Sequence, residues 1–278
     1  MKEKQPRIGI NGTGHTLVGR LQYLTQWFYG VTEPLILKFT DFMLRTEGRK
    51  AKLVKMSKPK SFPSGIILST EAVCRFIDFI YAIESPNDKA RIAVTDCVCQ
   101  TSLNRFREPR RKDMALLYTA ELYTTCKHTG VKNTYEPIET AERAKQMIRE
   151  FHQAGLLHNV LYCNGSGKWT FVICNCDDEI CVPFRAYMAG RTAEFGAGPE
   201  IISYDQAKCK GIETCGQCLK RCVLKACATH AGKSTVDYAR CLGCGLCTST
   251  CMGRARHLVP RADYRHEDIL TTKILLGA

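Results

Sequence analysis

Nine of the chain's 17 cysteines fall between Cys209 and Cys251, and eight of them form a repeat. The first copy reads Asp205-x3-Cys209-x5-Cys215-Gly-x-Cys218-x3-Cys222-x3-Ala226, the second Asp237-x3-Cys241-x2-Cys244-Gly-x-Cys247-x3-Cys251-x3-Ala255. Thiolates separated by two residues let one loop wrap three corners of a metal–sulfide cubane, with its backbone N–H groups aimed at the sulfurs. Gly216 and Gly245, each directly after a cysteine, permit that close approach. The last cysteine of each copy falls on a short helical segment, Leu219–Ala226 or Thr248–Ala255, and faces away from its own loop.

Metal chemistry accounts for this density better than packing or disulfides do. A chain of 278 residues can bury a core without cross-links, and an odd number of cysteines rules out complete pairing. The opening MKEKQPRIGI has no apolar stretch behind its charges, so no signal peptide is expected. The apolar-leaning run Leu21–Thr32 stops at Glu33 and is too short to span a bilayer. A cytoplasmic location with reduced thiols is therefore expected. The 45% hydrophobic content is that of a globular chain.

Residues 200–261 resemble the bacterial-type ferredoxin domain that carries two [4Fe–4S] clusters. The resemblance implies that Cys209, Cys215, Cys218 and Cys251 hold one cluster, and Cys241, Cys244, Cys247 and Cys222 the other, each fourth ligand crossing between the copies. Three features depart from that pattern. Five residues separate Cys209 from Cys215 where two are usual. Val223 and Met252 replace the proline that usually follows the last cysteine. Cys227 is a ninth cysteine and permits a rival register, Cys215, Cys218, Cys222 and Cys227; only the first register aligns the Asp, Gly and Ala positions of both copies. Two zinc sites on the same cysteines are the competing reading.

A second group comprises Cys97-Val-Cys99 and Cys174-Asn-Cys176-x4-Cys181. Each C-x-C pair ends an expected strand, so the two can meet in space. This region is similar to a group of ferredoxin-domain proteins of anaerobes that have a C-x-C-R element, a helix ending in a Gly-Leu-Val-His type motif, and a cysteine-crowded I-C-N-C segment closed by an arginine. The matching residues are Cys97, Cys99, Gly155, Leu156, Leu157, His158, Ile173, Cys174, Asn175, Cys176, Cys181 and Arg185. Gln100 replaces the arginine, and Asp177, Glu179 and Ile180 stand where that group has further cysteines. A third iron–sulfur cluster, another metal assisted by Asp177 or His158, and buried thiols with no metal all remain open here. Cys74, Cys126 and Cys163 stand alone and read as core residues.

The fold class expected is α+β: a mixed helical and strand N-terminal part, then a ferredoxin-like, pseudo-two-fold, two-cluster domain. Four segments are expected: 1–65, basic and amphipathic; 66–197, mixed and cysteine-containing; 198–262, the repeat; and a tail, 263–278. Of the net charge of +13, residues 1–60 supply +8 and residues 200–261 supply +6, whereas 61–199 are neutral. In detail, helical spacing is expected over Leu17–Tyr29 with Gly30 as a stop, and again over Leu35–Leu44. Lys50–Lys60 reads as a solvated connection. A helix capped by Ser69 or Thr70, a strand at Ala90–Val94, a helix at Glu139–Ala154 stopped by Gly155, and a strand at Lys168–Cys174 follow. Gly196–Pro199 is the expected boundary.

Other signals are weaker. Gly12-x-Gly14 lacks the third glycine and the acid of a dinucleotide fingerprint. The basic run Arg105–Lys112 reads as a solvated loop, His128, His152 and His158 as structural, and no nucleic-acid recognition element stands out. The function expected is an electron carrier or redox-complex subunit, docking an acidic redox partner through its basic N-terminal region. The alternative is a subunit or enzyme in which a third cysteine-ligated centre in residues 90–185 reduces or activates a substrate. Peripheral membrane contact through Leu17–Leu44 is the less favoured use of that segment. Positive surroundings should raise the cluster potential, with Arg221 and Arg240 as contributors.

Overall fold

The structure, a computed structural model, describes residues 17–56, 65–82, 90–125, 134–162, 170–190, 195–262 and 264. Gly12 and Gly14, Cys126, His128, Cys163, the expected turn at Pro86, the start of the strand expected at Lys168 and nearly all of the tail lie outside them.

The chain is α+β. It opens with α1 (Leu17–Met43) and α2 (Glu47–Met56), followed by β1 (Gly65–Leu68), α3 (Thr70–Ala82), β2 (Ile92–Asp96), α4 (Val98–Leu103), β3 (Arg111–Leu117) and α5 (Tyr118–Thr125). Then come β4 (Glu136–Ile138), α6 (Ala141–Gln153), β5 (Leu157–Tyr162), β6 (Thr170–Cys176) and α7 (Val182–Met188). The cysteine repeat contributes β7 (Glu200–Tyr204), α8 (Gln217–Arg221), β8 (Cys227–His230), β9 (Lys233–Val236) and β10 (Arg256–Pro260).

The first six strands form one antiparallel sheet in the order β1-β5-β6-β3-β2-β4. Alternation along a strand sends neighbouring side chains to opposite faces. Ile66 and Leu68 accordingly join α3 and α6 in one core, where Val73, Phe76, Ile77, Ile80, Ile148 and Phe151 are buried. Ile67 points the other way, into a second core shared with α1, α7 and the cysteine repeat. Ser69 caps α3, its Oγ accepting from the Ala72 N–H at 3.1 Å, and Thr140 caps α6 in the same way from Arg143 at 3.2 Å. Cys74 lies in the α3 core as expected.

Two expectations about helices are corrected. Gly30 does not stop the first helix: α1 runs through both Gly30 and Pro34 to Met43. Much of the basic connection is helical too, as α2, anchored by the buried Leu53. The basic run Arg105–Lys112 is also not simply a solvated loop. It leads into β3, an interior strand, and Lys112 is fully buried, its Nζ 2.7 Å from Asp177, which is equally buried.

Within the repeat, β7 pairs with β10, and β8 with β9, both antiparallel. The 196–199 segment is tied on both sides. Gly196 exchanges backbone hydrogen bonds with Gly65 and Ile67 of β1, and the Gly198 N–H reaches the Leu242 carbonyl at 3.2 Å. The second core continues across this junction from Leu37 and Leu157 to Leu224, Leu242 and Leu246.

Candidate metal centres

The two copies of the repeat make the same local bonds and exchange others. Asp205 accepts from the Ala207 N–H and Asp237 from the Ala239 N–H, both at 3.0 Å. The Ala226 N–H donates to Cys222 Sγ and the Ala255 N–H to Cys251 Sγ, both at 3.2 Å. Lys225 and Arg254 occupy matching left-handed positions, as do Gly216 (φ +59°) and Gly245 (φ +76°). At both glycines an added Cβ would come within 3.0 Å of a neighbour, the Ile212 carbonyl or the Leu258 side chain. Between copies, the Asp205 N–H donates to the Ala255 carbonyl and the Asp237 N–H to the Ala226 carbonyl, at 2.8 and 2.7 Å. The copies are therefore related by an approximate exchange, each closing on the other's end.

That exchange sorts the eight cysteines into two groups. Cys209, Cys215, Cys218 and Cys251 line one cavity, together with Gly216, Tyr204 and Arg256; its empty space is about 330 Å³, part of it open to solvent. Cys222, Cys241, Cys244 and Cys247 lie close enough to influence one another's ionisation. Cys227 sits between the groups and hydrogen-bonds with Cys218, Cys222 and Cys247. Hydrogen bonding from Cys227 is the main cause that brings Cys218 down to about 5 and Cys222 down to about 6, while Cys227 itself is driven upward. These contacts favour the proton on Cys227 and the thiolate form, the form that ligates metal, at Cys218 and Cys222. Burial works in the opposite direction at Cys241 and Cys244 and raises both.

Arg256 is the buried cation of this region. Its Nη1 lies 4.0 Å from Cys247 Sγ, its Nη2 bonds Ser234, and its guanidinium lies over the Tyr204 ring at 4.7 Å. Ser234 Oγ is in turn 3.2 Å from Cys218 Sγ. The two arginines expected to act here are placed differently. Arg221 bonds the carbonyls of His152 and Gln153 at the end of α6, and Arg240 pairs with Asp237 at the surface. Sequence reasoning missed Arg256, whose one signal was its place directly after the repeat's closing alanine.

The second cysteine constellation converges as well. Thiol–thiol hydrogen bonds run from Cys97 to Cys99, from Cys99 to Cys181 and from Cys181 to Cys176, with Cys174 close by. Backbone register explains the meeting. Cys174 pairs with Asp113 of β3 and with Asn159 of β5, and Cys176 with Leu157. Cys97 and Cys99 enter from the start of α4, beside β3: the Cys97 N–H bonds Arg110 and the Val98 N–H bonds the Asp113 carboxylate at 3.0 Å. Cys181 precedes α7 in a turn that Asp177 organises by accepting from the N–H groups of Glu179, Ile180 and Cys181. Hydrogen bonding and burial push Cys97, Cys99 and Cys181 well above the usual thiol range, and burial does the same to Cys174. Burial also lifts Asp113 to about 6. Such a group stays protonated unless a cation enters among the sulfurs.

A chain of side-chain hydrogen bonds links the repeat to this group. Ser249 Oγ lies 2.7 Å from His152 Nε2, His152 Nδ1 2.8 Å from Thr70 Oγ1, and Thr70 Oγ1 3.2 Å from His158 Nε2. His158 Nδ1 is 2.6 Å from Asn175 Oδ1, and Asn175 Nδ2 donates to the Lys112 carbonyl. Because the Asn175 oxygen accepts from His158, one donor direction satisfies the whole series with both rings neutral. Both histidines were expected to be structural, and this is their structural role; sequence gave no sign that they shared one network.

Among the described residues no three His, Cys, Asp or Glu side chains converge closely enough to hold a single metal ion. No protein-family model, curated protein or solved structure matches the chain.

Proposed function

We propose that the chain is an iron–sulfur electron-transfer protein with a ferredoxin-like C-terminal unit. It would pass electrons one at a time to or from a redox enzyme partner in the cytoplasm. Cys209, Cys215, Cys218 and Cys251 would hold one [4Fe–4S] cluster, and Cys222, Cys241, Cys244 and Cys247 the other. The observation that carries this reading is the reciprocal bonding of the two copies, which sets four cysteines from both copies around a single cavity. Bound clusters would supply reversible one-electron storage. The chain's own residues would set the potential: N–H groups directed at sulfur lower the charge density on it, and Arg256 adds a buried positive charge. Cys227 then acts as a hydrogen-bond donor to ligand sulfurs, not as a ligand.

Iron and acid-labile sulfide in anaerobically purified protein test the proposal. About eight of each per chain is the expected result; iron without sulfide, or zinc in its place, refutes it. A Cys227→Ala variant should keep its full iron content, whereas loss of a cluster would favour the rival register.

A second reading is favoured by the convergence of Cys97, Cys99, Cys174, Cys176 and Cys181. A third cluster there would raise both counts to about twelve. It would also make a substrate-reducing enzyme the better description. Cys97→Ala and Cys176→Ala variants should then return the counts to about eight.

A further inference from the structure

We infer that the outward face of α1, together with α2, docks the protein on an anionic lipid surface. The inference stands independently of the cofactor reading. Phe28, Val31, Leu35, Phe39 and Phe42 recur in steps of three and four residues and are 64, 40, 64, 52 and 49% exposed, with Ile36 beside them at 53%. They form one apolar stripe about 21 Å long. This stripe is not the helix's attachment to the protein. That role belongs to the opposite side, where Leu37, Thr40, Asp41 and Leu44 are buried and Asp41 binds Arg185, Arg45 and Arg105.

Charge selects the occupant. Residues 28–56 carry Lys38, Arg45, Arg49, Lys50, Lys52 and Lys55. Their one exposed carboxylate is Glu47, which is already paired with Lys50 at 2.6 Å. The guanidinium of Arg49 lies 4.0 Å from the Phe42 ring centroid, so the basic helix adjoins the apolar stripe directly. A second copy would bring like charges together. A protein partner needs about one hydrogen bond per 100–200 Å² of interface, and among the described residues the stripe carries few polar groups, Lys38 and the Thr32 hydroxyl, the latter already donating to the Phe28 carbonyl. Large apolar residues flanked by Lys and Arg, on a helix not apolar enough to cross a bilayer, match an interfacial helix whose cations meet lipid phosphates.

The test is co-sedimentation of the full chain, purified anaerobically, with phosphatidylcholine vesicles prepared with and without phosphatidylglycerol. Binding should require phosphatidylglycerol and weaken as salt is raised. Leu35→Glu with Phe39→Glu should reduce it by about tenfold or more, with unchanged circular dichroism and visible absorbance. Lys52→Glu with Lys55→Glu should reduce it too, and less so at high salt. Absence of vesicle binding overturns the inference in favour of an acidic protein partner, and equal binding to both vesicle types overturns the selection of anionic lipid. Self-association abolished by the Leu35 and Phe39 changes overturns it in favour of a second copy.

Discussion

Arg256 is the residue through which the fold most directly reaches both cysteine groups of the repeat. A reduced cluster carries one more negative charge than an oxidised one, so a buried cation favours the reduced form and raises the potential. Replacing Arg256 by methionine, close in size and uncharged, should lower at least one midpoint by about 60 mV, a tenfold change for a one-electron couple. Redox titration followed by electron paramagnetic resonance measures this, and an unchanged midpoint would remove Arg256 from the account. His158 gives a different signal. Burial is the main cause that lowers its pKa from 6.5 to about 4. Between those values the unfolded chain binds more protons than the folded one, so this contribution is complete above pH 6.5 and is lost as pH falls toward about 4. The loss amounts to about 3 kcal/mol at most. Asp113, raised from 3.8 to about 6, acts with the opposite sign over part of that range. The informative quantity is therefore the difference in urea stability between wild type and His158→Gln at pH 7 and pH 5, which should shrink at the lower pH.

Among the elements, α1 depends most on a few polar contacts. Asp41 bonds Arg185 at 2.6 Å, Arg45 at 3.0 Å and Arg105 at 3.4 Å while its own side chain is 1% exposed. Arg45, Arg105 and Arg185 all keep part of their side chains in solvent, so Asp41→Asn, which removes charge-assisted hydrogen bonds without leaving a buried charge unpaired, should cost about 1–3 kcal/mol. It should also open α1 to limited proteolysis before the sheet. The local reading of this helix failed at Gly30, a reasonable stop by propensity, and the helix also continues through Pro34. Tertiary packing of Leu37, Thr40, Met43 and Leu44 outweighs both. Strand β3 was illegible for another reason. Arg111 and Lys112 read as part of a solvated loop, and the ion pair with the distant Asp177 helps to make burial of Lys112 tolerable. By contrast, α3 and α6 were legible because capping residues and apolar periodicity agree within a short stretch. The repeat itself was legible from its internal register, whereas the division of its cysteines into two groups was an expectation taken from the resemblance. The second group was suggested by its C-x-C pairs, but the meeting of those pairs depends on strand pairing between residues about 60 positions apart, as Asp113 with Cys174.

At the scale of the whole molecule, the cysteine repeat and the sheet differ in what sustains them. The sheet has α3 and α6 packed on one face through a continuous apolar core. The repeat has two short strand pairs and a five-residue helix, and six of its nine cysteines belong, with Leu224, Leu242 and Leu246, to the buried core or the side chains packed on it. Small units of that kind usually need metal to stay folded. Iron chelation under reducing conditions should make residues 205–255 sensitive to protease while α3, α6 and the sheet resist. Equal resistance throughout would mean that the repeat folds without metal.

The depth of the two cysteine-rich sites also implies an order of assembly in the cell. Cys209, Cys215 and Cys251 are only partly buried around a cavity that opens to solvent, so a cofactor can be inserted there after the polypeptide has collapsed. Cys97, Cys99, Cys176 and Cys181 are buried in the core where α1, α7 and the cysteine repeat meet. Anything bound there must arrive while the C-terminal segment is still undocked and cannot leave without undoing that closure. A delivery factor for the inner site would therefore recognise a nascent form of the chain, whereas one for the outer site could act on the finished protein.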